Sequence, residues 1–101
     1  MATFMAFCED HPDSDGLRAQ HLTAHLAYVE TVMERIRVAG PLREDDDAAV
    51  GGSCFVYRAD SLEDAQALLQ DDPYHRAGIY ASVRWFRLNP AAGQWVGGRN
   101  W

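Results

Sequence analysis

Arg18, His21 and His25 lie within one apolar-patterned stretch and are the side chains best suited by type and spacing to do chemistry. They step by three and four residues, so on a helix they line up along one edge of its apolar side. An imidazole has an ordinary pKa near ~6.5 and exchanges protons at neutral pH, which suits it to general acid or base work. A guanidinium stays charged and offers an oxyanion a planar fork of N–H donors, although Arg18 also lies close enough to Asp15 to pair with it in solvent. His21 and His25, four apart, form a metal pair on paper. No HExxH pattern, third ligand or cysteine pair accompanies them, so no metal is expected. Ser53 follows Gly51-Gly52 but lacks the Gly-x-Ser-x-Gly elbow of a nucleophile, and it reads as a donor lining a pocket. Asp45-Asp46-Asp47 lacks the glycine and distal glutamate of a calcium loop and reads as a solvated connector.

The stretch carrying these residues runs over 17–41. Leu22, Leu26, Val29, Met33 and Ile36 step by four, three, four and three, which predicts one amphipathic helix with its apolar stripe against the core. Ser14 or Asp15 caps its start, and Gly40-Pro41 stops it, unless 37–42 already extends toward the next strand. Ahead of it, 3–8 is short, aromatic and apolar, a strand broken by Glu9-Asp10-His11-Pro12-Asp13. After the acidic connector at 44–49 comes a β-branched and aromatic strand over 53–59. Ser61 and Asp64 make a capping box for a helix through Leu69, and Pro73 bends the chain at Asp72. A last strand covers 79–88.

The order strand, helix, strand, strand, helix, strand is the α+β, ferredoxin-like βαββαβ arrangement with an antiparallel sheet. Alternate residues of its strands put apolar side chains on both faces: Phe4, Ala6 and Cys8 against Met5 and Phe7, and Cys54 and Val56 against Phe55 and Tyr57. Helices cover one face, so the sequence predicts that a second copy covers the other. The product is a homodimer built as a dimeric α/β barrel.

The chain has 101 residues, 48% apolar and 24% charged, which suits one folded domain. Its net charge of −6, with nine dispersed basic residues, argues against nucleic acid and anionic membranes as partners. No stretch reaches the ~20 apolar residues of a membrane span, and the N-terminal residues lack the charged start of a signal peptide, so a cytoplasmic protein is expected. Cys8 and Cys54, in strand-like runs, read as reduced, small apolar side chains.

His25-Leu26-x-Tyr28 leading to Gly40-Pro41, Gly52-Ser53, the run Asp60-Ser61-Leu62-Glu63-Asp64-Ala65, Asp72-Pro73-Tyr74, and Ala77-Gly78-Ile79-Tyr80 together resemble the YCII-related (YciI-like) family over residues 3–88. The resemblance implies a ferredoxin-like dimer of the dimeric α/β-barrel type, occupying residues 1–88, with His25 and Asp72 catalytic. Arg18 matches a basic position of the family's helix start, whereas His21 stands where many members have arginine. One similar protein eliminates HCl from a chlorinated hydroxyquinol, and the wider superfamily includes muconolactone isomerase. The implied activity is therefore lyase or isomerase chemistry on a small aromatic or lactone-like molecule. Proton transfer of this kind uses no cofactor, with Arg18, His21 and Ser53 binding substrate. A non-catalytic dimer module that binds a small molecule or a partner protein would use the same residues. The tail, 89–101 with Trp95 and Trp101, lies beyond the resemblance and is expected to pack on the partner subunit.

Overall fold

The computed structural model describes residues 1–100. In chain order the elements are β1 (Ala2–Asp10), α1 (Asp15–Thr31), a 3-10 turn (Met33–Arg35), β2 (Ile36–Leu42), β3 (Gly52–Ala59), α2 (Leu62–Gln70), α3 (Pro73–Arg76) and β4 (Tyr80–Leu88). A tail follows with β5 (Ala92–Gly93), a 3-10 turn (Gln94–Val96) and β6 (Gly98–Arg99). The main sheet is four-stranded with order β2-β3-β1-β4, and every neighbouring pair is antiparallel. This is the α+β, ferredoxin-like arrangement that the sequence pattern predicts.

Period-two alternation in the strands builds the core. Phe4, Ala6 and Cys8 of β1 face the same way as Tyr57, Phe55 and Ser53, their direct partners on β3, and Ala65 and Leu69 of α2 close over them. Ser61 caps α2 as expected, its hydroxyl accepting from the Asp64 N–H at 3.1 Å. Ser14 holds the corresponding position before α1, but its hydroxyl donates to the His11 carbonyl at 2.6 Å instead of accepting from the helix.

The long helix is shorter than its apolar spacing predicts. It stops at Thr31, where Val29, Thr31 and Val32 crowd β-branched side chains together, and the chain turns once through Met33–Arg35 before entering β2. Gly40 and Pro41 therefore lie within a strand and do not end a helix. Pro41 is tolerated because β2 is an edge strand, where a missing N–H leaves no neighbour unpaired. Nor does the apolar stripe face the core. No α1 residue is buried, and Leu22 and Leu26 are 45% and 51% exposed.

The opposite face of the sheet carries Met5, Phe7, Val38, Cys54 and Phe86, with Val38 and Phe86 43% and 41% exposed. Among the described residues, no helix is long and apolar enough to cross a membrane. The expectation for Trp101 lies outside the described residues, and Trp95 is exposed.

Candidate functional site

Two full turns of α1 separate Arg18 from His25, so both project from the same side of the helix toward the ends of β1 and β3 and the start of α3. Asp72 meets the histidine there. Pro73 forces Asp72 into an extended backbone and occupies the first turn of α3, making Asp72 the N-cap, with Oδ1 accepting from the Tyr74 N–H at 2.9 Å. The same oxygen lies 2.7 Å from His25 Nδ1. Asp72 is 1% exposed and the His25 side chain 13%, so the pair is closed on the carboxylate side and open on the imidazole side. A carboxylate that accepts from Nδ1–H leaves Nε2 as the imidazole's proton acceptor. Tyr74 stacks on the histidine ring at 3.9 Å with 3° between planes, and the Phe55 ring meets it edge-on at 6.4 Å.

Arg18 is held more elaborately than its spacing suggests. Its partner is Asp10, at the end of β1 where the register with β4 slips, and not Asp15. Nε donates to Asp10 Oδ2 at 2.7 Å and Nη2 to Oδ1 at 2.9 Å, a bidentate clamp. Nη2 also reaches the Gly52 carbonyl at 3.0 Å and Ser53 Oγ at 2.9 Å. Only glycine fits at position 52, because a Cβ there would collide with the Cys8 carbonyl oxygen across the sheet. Tyr80 Oη donates to Ser53 Oγ at 3.1 Å. Burial pushes the Tyr80 hydroxyl's pKa far above the ordinary range, so it remains protonated. Burial alone would lower the Arg18 pKa, but the bonds and charge of Asp10 outweigh it and raise the value.

A cavity of about 250 Å³ joins these groups, lined by Arg18, His25, Ser53, Phe55 and Tyr74. Leu22, Leu26 and Val29 form its apolar wall on the helix side, and Ala39, Gly40 and Pro41 its wall on β2. The stripe that reads as a core face is thus the wall of an open cavity. Larger hollows of about 520 and 550 Å³ lie beside the tail and beside the acidic connector, the second reaching Gly52 but neither lined by Arg18, His25, Ser53 or Asp72.

Of the residues singled out in the sequence, Arg18, His25, Ser53 and Asp72 come together here. His21 is half-buried, has no polar partner among the described residues and does not line the cavity. No three His, Cys, Asp or Glu side chains among the described residues gather closely enough to hold a metal ion. The sequence reading missed Asp10, Tyr74 and Tyr80. The apolar pattern of the first strand ends at Cys8, which leaves Asp10 as loop charge although β1 runs on to it, and the aromatic residues carry no signal beyond their place in the DPY and GIY runs.

The ferredoxin-like α+β fold is the architecture of the dimeric α/β-barrel proteins. The chain belongs to the YCII-related family, whose model matches residues 2–89. Protein YciI of Escherichia coli and that of Shigella flexneri are each 34% identical over 87 residues, covering 79% of this chain and 89% of theirs. Among solved structures, a 5-chloro-2-hydroxyhydroquinone dehydrochlorinase from Burkholderia phenoliruptrix, in complex with 2,5-dihydroxybenzoquinone, has a TM-score of 0.79 and 27% identity, covering 91% of this chain and 96% of its own. An Agrobacterium tumefaciens protein with a TM-score of 0.54, 9% identity and coverage of 90% and 94% shares the fold alone.

Proposed function

We propose that this chain is a homodimeric enzyme of lyase or isomerase type that moves a proton on a small, oxygen-rich aromatic or lactone-like molecule without a cofactor. The observation that carries this reading is the His25–Asp72 bond of 2.7 Å, buried at the carboxylate and opening at the imidazole onto a cavity. His25 Nε2 takes the acidic proton of the bound molecule. Asp72 fixes the tautomer and stabilises the imidazolium that forms. Arg18 and Ser53 hold the oxygen on which negative charge develops. From that point either a leaving anion such as chloride departs, which is elimination, or the proton returns at another carbon, which is isomerisation. Leu22, Leu26, Val29 and Phe55 offer the apolar walls that a ring needs.

The similarity to a dehydrochlorinase supports elimination over isomerisation and points to hydroxyquinols as the first substrates to try. A second copy covers the open sheet face, and the protein works in the reducing cytoplasm, where Cys8 and Cys54 remain free thiols. The test is chloride release from a chlorinated hydroxyquinol, followed beside ligand-induced thermal stabilisation. Wild type should turn the compound over, and His25→Gln should lose on the order of 10²- to 10⁴-fold in rate while still folding. Thermal stabilisation without chloride release would make the chain a binding module, and unchanged turnover in His25→Gln would remove the histidine from the mechanism.

A further inference from the structure

We infer that Asp10 and Tyr80 are positioning residues that make Arg18 and Ser53 a corner of hydrogen-bond donors, so that the cavity takes its ligand as an oxyanion. The inference rests on the proposed reading of this cavity as the ligand site. It follows from counting donors and acceptors. A guanidinium has five N–H groups. Asp10, 5% exposed, takes Nε and one N–H of Nη2, and Gly52 and Ser53 share what remains on Nη2. None of these bonds uses Nη1, and the guanidinium also bonds the Tyr74 hydroxyl at the cavity's edge. The Arg18 side chain is 11% exposed and lines the cavity, so the guanidinium is reached from there.

Ser53 completes the corner. Its oxygen accepts from Arg18 Nη2 and from Tyr80 Oη, which occupies both lone pairs and turns the hydroxyl hydrogen outward as a further donor. Without Tyr80 the hydroxyl would be free to rotate and present a lone pair instead. Without the Asp10 carboxylate the guanidinium would lose the clamp that fixes its plane. His25 Nε2 is the acceptor of the site, and the Tyr74 ring lies beside both groups, 5.2 Å from the Arg18 guanidinium carbon and 3.9 Å from the imidazole. A ligand spanning the two carries an anionic oxygen at one edge and an acidic hydrogen at the other. An enolate, phenolate or ionised hydroxyquinone fits this description, and a neutral hydrocarbon ring does not.

The experiment titrates wild type, Asp10→Asn and Tyr80→Phe by calorimetry near neutral pH with 2,5-dihydroxybenzoquinone, which is ionised there, and with its uncharged dimethyl ether. Wild type should prefer the anion. Each variant should lose about tenfold or more in affinity for the anion and stay within about threefold for the ether, because charge-assisted bonds gain most from positioning. Loss of both compounds alike, or of neither, overturns the inference, since a purely structural role would not separate them. Tyr80→Phe keeps the ring and stays informative where Asp10→Asn fails to fold. Should wild type bind neither compound, the proposed substrate class falls on its own, and acetate then serves as the anion in nitrogen-15 spectra of the arginine side chains. Arg18 Nη signals that move with acetate in wild type and stay still in Tyr80→Phe support the donor corner, and signals that stay still in wild type overturn it.

Discussion

One oxygen of Asp72 serves both the imidazole and the backbone: Oδ1 accepts from His25 Nδ1 at 2.7 Å and from the Tyr74 N–H at 2.9 Å. Removing it and neutralising it should therefore differ. Asp72→Ala deletes a helix cap and strands a partly buried imidazole N–H, and each loss is worth roughly 1–2 kcal/mol, so urea denaturation should register a fall of about 2–4 kcal/mol. Asp72→Asn keeps an acceptor in place and should stay within about 1 kcal/mol of wild type while losing turnover, because the imidazolium no longer has a charged partner. Equal stabilities for the two variants would mean that the cap contributes nothing. Cys8 gives a second residue-scale prediction. Burial, helped by the charges of Cys54, Asp10 and Asp72, pushes its thiol from the ordinary 9.0 up to about 12. Above pH 9.0 an unfolded chain releases this proton while the folded chain keeps it, so unfolding becomes easier as alkali is added. The stability tied to the protonated thiol is complete below that pH and is lost as pH rises toward about 12. Buried Tyr57 and Tyr80, both raised above their ordinary 10.0, act in the same direction at higher pH. Urea midpoints should stay flat from weak acid to that threshold and then fall, and Cys8→Ala should delay the fall; an unaltered profile in Cys8→Ala would exclude the thiol as its source.

At the scale of elements, α1 is where a correct pattern supported a wrong conclusion. The spacing of Leu22, Leu26 and Val29 does mark one face of a helix, but periodicity reports which residues share a face and not what that face meets. Here it meets a cavity, and the helix is positioned by polar bonds that the pattern does not encode: Arg18 to Asp10, His25 to Asp72, and the Tyr28 hydroxyl to the Leu68 carbonyl at 2.6 Å. The distinction can be measured. Leu26→Ala should cost less than about 1 kcal/mol, against the 2–5 kcal/mol of a core leucine, because Leu26 is 51% exposed. It should still weaken binding of an aromatic ligand by several-fold, and a core-sized loss of stability would restore the reading of the stripe as packing. The succession of strands and helices, the Ser61 cap and the bend at Asp72 were legible because each is local: alternation, a hydroxyl three residues before an N–H, a proline. The Asp10–Arg18 clamp and the Tyr80–Ser53 bond were not, since they join β1 to α1 and β4 to β3 across distances that one sequence does not register. The family resemblance supplied Asp72, which the residues alone would have left as a turn former.

At the scale of the molecule, the two faces of the sheet have unequal cover. Ala65 and Leu69 pack on the inner face, whereas Met5, Phe7, Val38, Cys54 and Phe86 lie on the outer face, where Val38 and Phe86 are 43% and 41% exposed although Thr3 and Val56 beside them are buried. A four-stranded sheet with an apolar outer face is unusual in a monomer, because antiparallel sheets normally turn polar side chains to water. Pairing with the same face of a second copy removes that surface from water on both chains at once. Phe86, 41% exposed on the edge strand β4, is a suitable probe because a charge there disturbs the outer face without entering the core. Sedimentation equilibrium should find wild type at twice the 11.3 kDa chain mass and Phe86→Glu at the chain mass itself. Wild type at the single-chain mass would remove the dimer. Arg18, His25, Ser53 and Asp72 all come from one chain and face the helix side of the sheet, so a monomeric Phe86→Glu should keep its affinity for a quinone-type ligand. Affinity lost together with the dimer, while the circular dichroism spectrum is unchanged, would instead mean that the second copy completes the cavity, and the site would have to be redrawn across the two-fold axis.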